Sequence, residues 1–143
     1  MSYQESEDMP RKKILSIEDN IDDTILIKRA HKKFEDKFDL FTAQCYEDAK
    51  KVISDQNNNF SLILIDINLP RKNGLEILKE LKKTAATKKI PICILTTSKW
   101  EEDLKKAYKY GCNAYFEKPF DYKEFINVVE IIFSFWLVNH PPS

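Results

Sequence analysis

The sequence carries no net charge, few cysteines and no long hydrophobic run. Its 23 basic and 23 acidic side chains cancel, so no overall field favours nucleic acid or an anionic membrane. The 3 cysteines are an odd number without metal-ligand spacing, and we expect reduced thiols in a cytoplasmic protein. The N-terminus has no signal-peptide pattern, and the longest apolar stretch, residues 125–138, is interrupted and too short to span a bilayer. These absences favour a protein that works neither on DNA nor in a membrane.

The length fits one domain. A chain of 143 residues can bury a sizeable core but is short for two domains. We expect a folded domain at residues 11–138, between a flexible N-terminal tail at 1–10 and a C-terminal tail at 139–143. No output domain is expected after residue 143.

Short apolar runs alternate with helical patterns five times along the chain. Strands are predicted at residues 14–17, 38–43, 62–65, 92–95 and 114–117. Helices are predicted at residues 21–34, 46–56, 75–84, 100–110 and 122–138. This alternation predicts an α/β fold, a doubly wound five-stranded parallel sheet with helices on both faces.

Polar side chains stand at the carboxyl ends of four of these strands. They are Glu18 and Asp19 after the first strand, Asp66 after the third, Thr96 after the fourth and Lys118 after the fifth. Asp66 alone could mark only the end of a strand, because Asp is disfavoured in strands. In the strand order 2-1-3-4-5, however, these four strand ends are neighbours, and their side chains meet in one crevice.

The chemistry of this group suits a phosphoryl group. Clustered carboxylates repel one another unless a cation neutralises them, and hard oxygen ligands suit Mg²⁺. An ammonium from Lys118 and a hydroxyl from Thr96 would hold the peripheral phosphoryl oxygens, which is most of what phosphoryl transfer requires. Asp66 is then the nucleophile, forming an aspartyl-phosphate.

At family spacing, the acidic pair 18–19, the Asp66 segment, Gly74, Thr96 and the pair 118–119 resemble the receiver domain of two-component response regulators. The resemblance covers about residues 11–138 and implies a single receiver domain with the flavodoxin-like fold. It implies that Asp19, Asp66 and the backbone carbonyl of Asn68 bind Mg²⁺, with Glu18 acting mainly through water.

The resemblance also implies further roles. Thr96 and Tyr115 would form a switch pair, in which the hydroxyl moves to the phosphoryl group and the aromatic ring turns inward. Asn68 and Ser98 would tune the lifetime of the phosphate, and the bond between Lys118 and Pro119 would be cis. A histidine kinase would donate the phosphate, and the receiver would catalyse only its own phosphorylation and dephosphorylation.

Each of these residues also has an ordinary structural interpretation. The hydroxyls of Thr96 and Ser98 could cap the next helix. Lys118 could be a surface lysine, and Tyr115 could be a core residue on its strand.

The last predicted helix has two apolar stripes. The first is expected in the core and contains Tyr122, Phe125, Ile126, Val129, Ile132, Phe133 and Trp136. The second contains Val128, Ile131 and Phe135, and we expect a homodimer to cover it. The alternative cover is the N-terminal tail.

Without an expected output domain, we expect signalling by protein contact through the surface of the fourth helix, fifth strand and fifth helix. Segments 69–74, 95–98 and 135–136 are similar to stand-alone regulators that partner bacterial phytochrome kinases. Two other functions stay open: a phosphatase of the haloacid-dehalogenase type and a non-phosphorylated receiver-like binding module. The first usually has an Asp two residues after its nucleophile, where this chain has Asn68.

Overall fold

A computed structural model describes residues 11–138, so the two expected tails, 1–10 and 139–143, lie outside the described residues. The strands are β1 (Lys12–Ile17), β2 (Phe38–Ala43), β3 (Leu62–Ile65), β4 (Ile92–Thr96) and β5 (Ala114–Glu117). The helices are α1 (Ile21–His31), α2 (Tyr46–Asp55), α3 (Gly74–Lys83), α4 (Glu101–Lys109) and α5 (Tyr122–Val138), with a 3₁₀ turn at Lys32–Phe34 after α1.

The five strands form one parallel sheet in the order β2-β1-β3-β4-β5. This confirms the fold class and strand order predicted from the sequence. Ile65 at the end of β3 pairs with Ile17 on one side and with Ile94 on the other. The ends of β1 and β3 are therefore level, whereas β4 continues beyond Ile94 to Thr96. Because the strands are parallel, all three end at the same edge of the sheet.

The sheet has a hydrophobic core on each face. In β3, Ile63 and Ile65 belong to the core shared with α2, α3 and α4, whereas Leu62 and Leu64 belong to the core shared with α1 and α5. All four residues are at most 2% exposed. A strand that is apolar on both faces needs helices on both faces, as the continuous apolar run predicts.

Two expectations are wrong: one concerns the first residue of the last helix, and the other concerns the peptide bond between Lys118 and Pro119. Tyr122 is 53% exposed instead of buried, because it is the first residue of α5 and, as a tyrosine, can keep its polar end in water. The bond between Lys118 and Pro119 is not cis, since no cis peptide bond occurs in residues 11–138. A trans X–Pro bond is the more stable isomer by about 0.5–1 kcal/mol.

Within the described part of the chain, none of the helices has the length and apolarity needed to cross a bilayer. All three cysteines are buried free thiols.

Candidate functional site

Backbone hydrogen bonds hold the polar strand ends in place. The N–H of Asp66 donates to the carbonyl of Ile17 at 3.2 Å, which ties the end of β3 to β1. The N–H of Lys118 donates to the carbonyl of Thr96 at 2.7 Å, which ties the end of β5 to β4. Sheet register thus places residues from distant parts of the sequence in one crevice.

The Lys118 ammonium lies at the centre of this crevice. Its Nζ donates to Glu18 Oε1 at 2.7 Å, to Asp23 Oδ2 at 2.6 Å and to Asp66 Oδ2 at 2.9 Å. The side chain of Lys118 is 5% exposed, and those of Glu18 and Asp66 are 4% and 6% exposed. An ammonium has three N–H donors, so each of them is used on a carboxylate. Buried charges require such partners.

Three carboxylates form a group that fits a divalent cation. Oxygen atoms of Glu18, Asp19 and Asp66 lie within 4.8 Å of one another. Asp19 and Asn68 are exposed at the opening of the crevice, so the group has access to solvent. Hard cations prefer oxygen ligands and keep some of their waters, and this donor set meets both requirements.

Burial and hydrogen bonding shift the pKa values of Glu18 and Lys118 in the crevice. Desolvation, reinforced by the charge of Asp66, raises the pKa of Glu18 to about 7, although the hydrogen bond from Lys118 acts in the opposite direction. Burial alone would lower the pKa of Lys118, but its hydrogen bonds to Asp23 and the other carboxylates outweigh burial and raise it. Lys118 therefore stays cationic, and the charge of Glu18 changes near neutral pH.

The segment after β3 brings the start of α3 against Asp66. The N–H of Asn68 donates to Asp66 Oδ1 at 3.2 Å, and the N–H of Gly74 donates to the carbonyl of Ile67 at 2.8 Å. A Cβ atom on Gly74 would overlap the carbonyl oxygen of Asp66 and lie 2.8 Å from its carbonyl carbon. Glycine is needed at this position because any side chain would collide with the backbone of Asp66.

Ser98 connects the hydroxyls of Thr96 and Tyr115. Its N–H donates to Thr96 Oγ1 at 3.3 Å, and its carbonyl accepts from the Tyr115 hydroxyl at 3.2 Å. Thr96 is fully buried, and burial raises the pKa of Tyr115, which is half-buried. The Ser98 hydroxyl donates to Asp103 at 2.6 Å and accepts from the N–H of Trp100 at 3.3 Å, so it also fixes the start of α4.

Asp23 is the residue of this crevice that the sequence analysis missed. Its position in the first turn of α1 indicates only a favourable interaction with the helix dipole. In the structure, Asn20 caps α1 by accepting from the N–H of Asp23 at 3.0 Å, and the Asp23 side chain contacts Lys118. The Asn20–Asp23 spacing predicts the helix cap, because the Asn20 side chain accepts from the N–H of Asp23, but it carries no signal for the contact with Lys118.

The second stripe of α5 is exposed in part. Ile131 and Phe135, one turn apart, are 55% and 52% exposed. Val128 is partly buried against the core of α1 and α5, so it contributes less to the free surface than expected.

Comparisons with known proteins agree with this geometry. The family model described as "Response regulator receiver domain" matches residues 14–130. Response regulator Rcp1 of Synechocystis sp. is 34% identical over 136 residues, 92% of each chain. The crystal structure of the phosphorylated cyanobacterial phytochrome response regulator RcpA superposes with a TM-score of 0.86 at 32% identity, over 94% of this chain and 100% of that one. The Mn²⁺-bound form of Rcp1 gives a TM-score of 0.83 at 33% identity, over 92% of this chain and 99% of that one.

Proposed function

The chain belongs to the response regulator receiver domain family of two-component signalling, and from this premise we propose that it is a phosphoacceptor that carries its phosphate on Asp66. It is a signalling receiver and not a classical enzyme. The observation that carries the proposal is the Lys118 ammonium, buried 2.9 Å from Asp66 beside a group of carboxylates with cation-binding spacing.

The transfer needs little chemistry beyond positioning. A carboxylate oxygen of Asp66 attacks the phosphorus of a phosphohistidine, the new O–P bond forms, and the P–N bond breaks. The leaving imidazole nitrogen takes up a proton from solvent, which reaches the open crevice. The Lys118 ammonium and the Thr96 hydroxyl stabilise the charge on the phosphoryl oxygens, and in this sense the receiver promotes its own phosphorylation.

The proposed cofactor is Mg²⁺. Asp19, Asp66 and the backbone carbonyl of Asn68 would hold it, with Glu18 acting mainly through water. The oxygen atoms of Glu18, Asp19 and Asp66 have a spacing that suits Mg²⁺. A relative, Rcp1, has been crystallised with another divalent cation, Mn²⁺. When bound, the cation supplies positive charge against the phosphoryl oxygens.

The proposed phosphate donor is a sensor histidine kinase of the phytochrome type, since RcpA is a phytochrome response regulator, and the proposed location of this chain is the cytoplasm. A donor must bring its phosphoimidazole to Asp66, and it must therefore contact the rim of the crevice. Ile21 lines this rim and is 68% exposed, and Phe120, two residues after Lys118 in the sequence, is fully exposed. Such exposed apolar residues suit a protein contact.

Phosphorylation would act through the contacts of Ser98. We propose that the Thr96 hydroxyl turns to the phosphoryl group, and that Tyr115 responds because both side chains bond to Ser98. Asn68 and Ser98 stand at the crevice opening or beside it and would set the access of water, and hence the phosphate lifetime. The output would be a protein contact, with a homodimer through Ile131 and Phe135 of α5, and Val128 at its margin.

The test is incubation with acetyl phosphate and Mg²⁺, followed by intact mass. We expect one phosphoryl adduct, which disappears in Asp66→Ala or when EDTA removes the cation. Asp55→Ala, which changes an exposed carboxylate at the end of α2, should keep the adduct.

Other outcomes would identify the alternatives. The absence of an adduct at every Mg²⁺ concentration would overturn phosphorylation and leave a receiver-like binding module. Rapid turnover of a phosphomonoester substrate would point to the haloacid-dehalogenase type of phosphatase.

A further inference from the structure

Asp23 differs from the other two carboxylates that contact Lys118. Glu18 and Asp66 belong to the group with cation-binding spacing, whereas Asp23 does not. A cation bound there would offset the charges of Glu18 and Asp66. Asp23 would keep its full charge and would still depend on Lys118, which is the hydrogen-bond partner of its side chain within residues 11–138.

The backbone holds Asp23 in place. Its N–H donates to Asn20 Oδ1 at 3.0 Å, and the N–H of Thr24 donates to the carbonyl of Asn20 at 3.0 Å. The first turn of α1 is thus fixed by its cap, and the Asp23 carboxylate has the shortest of the three contacts to Nζ, at 2.6 Å. Its side chain is 21% exposed and lies at the rim of the crevice.

A phosphoryl group on Asp66 would compete with the carboxylates for the N–H donors of Lys118. It brings additional negative charge and oxygens that need N–H donors, but all three donors of Nζ are already used. Lys118 can contact a phosphoryl oxygen only by weakening an existing contact. Asp23 also repels the incoming anion, because both would lie close to the same nitrogen.

We propose that Asp23 is a positioning residue that competes with the phosphoryl group for the Lys118 ammonium and so weakens the binding of a phosphoryl group at Asp66. The inference rests on the proposed phosphorylation of Asp66. Removing the charge of Asp23 should tighten binding by about fivefold, a value reduced for the partial exposure of this carboxylate.

The experiment is a calorimetric titration with beryllofluoride, a phosphoryl mimic, at saturating Mg²⁺. Asp23→Asn keeps an oxygen acceptor for Lys118 but removes the charge, and it should bind about fivefold more tightly than the native chain. Asp22→Asn is the matched control, because it removes the same charge from the same helical turn at an exposed residue. It should bind within about twofold of the native chain. Asp23→Glu, which restores the charge, should return the affinity towards the native value.

The outcomes separate this role from the proposed function. Equal affinities in Asp23→Asn and Asp22→Asn, or weaker binding in Asp23→Asn, would overturn the competition while leaving phosphorylation intact. If the native chain bound no beryllofluoride, the phosphoacceptor role itself would be overturned, and the role of Asp23 with it. A merely structural role for Asp23 predicts lower stability and weaker binding, so tighter binding with unchanged thermal unfolding supports competition.

Discussion

At the scale of single residues, Gly74 allows α3 to begin against the backbone of Asp66. A Cβ atom there would overlap the Asp66 carbonyl oxygen and lie 2.9 Å from the Cα of Ile67, and both obstacles are backbone atoms that cannot rotate away. We expect Gly74→Ala to lower the free energy of unfolding by about 2–4 kcal/mol. Urea unfolding measures this loss. The variant should also accept phosphate from acetyl phosphate poorly, because Asp66 moves.

Gly111→Ala is a suitable control for Gly74→Ala. Gly111 has a φ of +103°, and a Cβ there would meet only the flexible side chain of Lys82, at 3.3 Å. This variant should lose about 1–2 kcal/mol from backbone strain, but it should keep the native rate of phosphorylation. If both variants were phosphorylated at the same rate, the close approach of Gly74 to Asp66 would not be required for phosphorylation.

A second prediction concerns the protonation of Glu18. Its pKa is raised to about 7, above its ordinary value of 4.5, so the group is mostly neutral below this pH and charged above it. A cation binds the ionised form and competes with the proton. We expect Mg²⁺ affinity to be about tenfold weaker at pH 6 than at pH 8 and to level off at higher pH.

Calorimetric Mg²⁺ titrations at several pH values test this dependence. Glu18→Gln should bind Mg²⁺ more weakly at pH 8 and should show a much flatter dependence between these two pH values. An equally steep dependence in Glu18→Gln would assign the titration to another group.

The sequence predicts some residues of the crevice better than others. Asp66 and Lys118 directly follow strands, and Thr96 is the last residue of one. Because parallel strands place their carboxyl ends at one edge of the sheet, strand order is enough to bring these residues together. Asp23 lies on a helix, and its contact with Lys118 depends on how Asn20 caps that helix and how the helix is rotated against the sheet. Hydrophobic periodicity does not specify that rotation closely.

At the scale of secondary structure, α5 separates into a buried and an exposed face. Phe133 is fully buried and contacts the Phe38 ring at 4.9 Å between centroids, whereas Phe135, two residues later, is 52% exposed. Phe133→Ala should cost about 3–5 kcal/mol of unfolding free energy, because it leaves a cavity. Phe135→Ala should cost less than about 1 kcal/mol.

Urea unfolding at low protein concentration, where association does not contribute, compares the two variants of α5. Because the same substitution is made in the same helix, helix propensity cancels from the comparison. Similar losses in both variants would mean that Phe135 is buried in solution, and the exposed face would need another explanation.

Periodicity predicts the existence of α5 and its buried residues but not the limits of its contact with the sheet. Tyr122 repeats at the spacing of the core residues, yet it is exposed at the first turn. Val128 belongs by spacing to the outer stripe, yet it is partly buried against the neighbouring core. A helical pattern records which face is apolar, while the extent of burial depends on where the sheet and α1 end.

At the scale of the whole molecule, the alternation of strands and helices is enough to predict the parallel sheet, because right-handed crossovers restrict the possible arrangements. The apolar run 62–65 identifies the central strand, since only a strand covered on both faces is apolar throughout. What covers the exposed side of α5 does not follow from the fold. The structure of one chain shows only that Ile131 and Phe135 are exposed apolar side chains on this face.

The proposed homodimer is the prediction that belongs to this scale. Ile131 and Phe135 are one turn apart on α5, and a twofold axis beside this helix would place each pair against its copy. A stable interface buries on the order of 800 Å² per partner, so these two residues would form its apolar centre within a more polar rim. We expect the native chain to sediment as a dimer at micromolar concentration and Phe135→Ser to shift it to monomer. Ile25→Ser is the control, because Ile25 is a 46% exposed apolar residue on α1, outside the expected contact surface, and this variant should remain a dimer. A native chain that sediments only as a monomer, with and without beryllofluoride, would contradict the dimer and leave the exposed face of α5 to another partner.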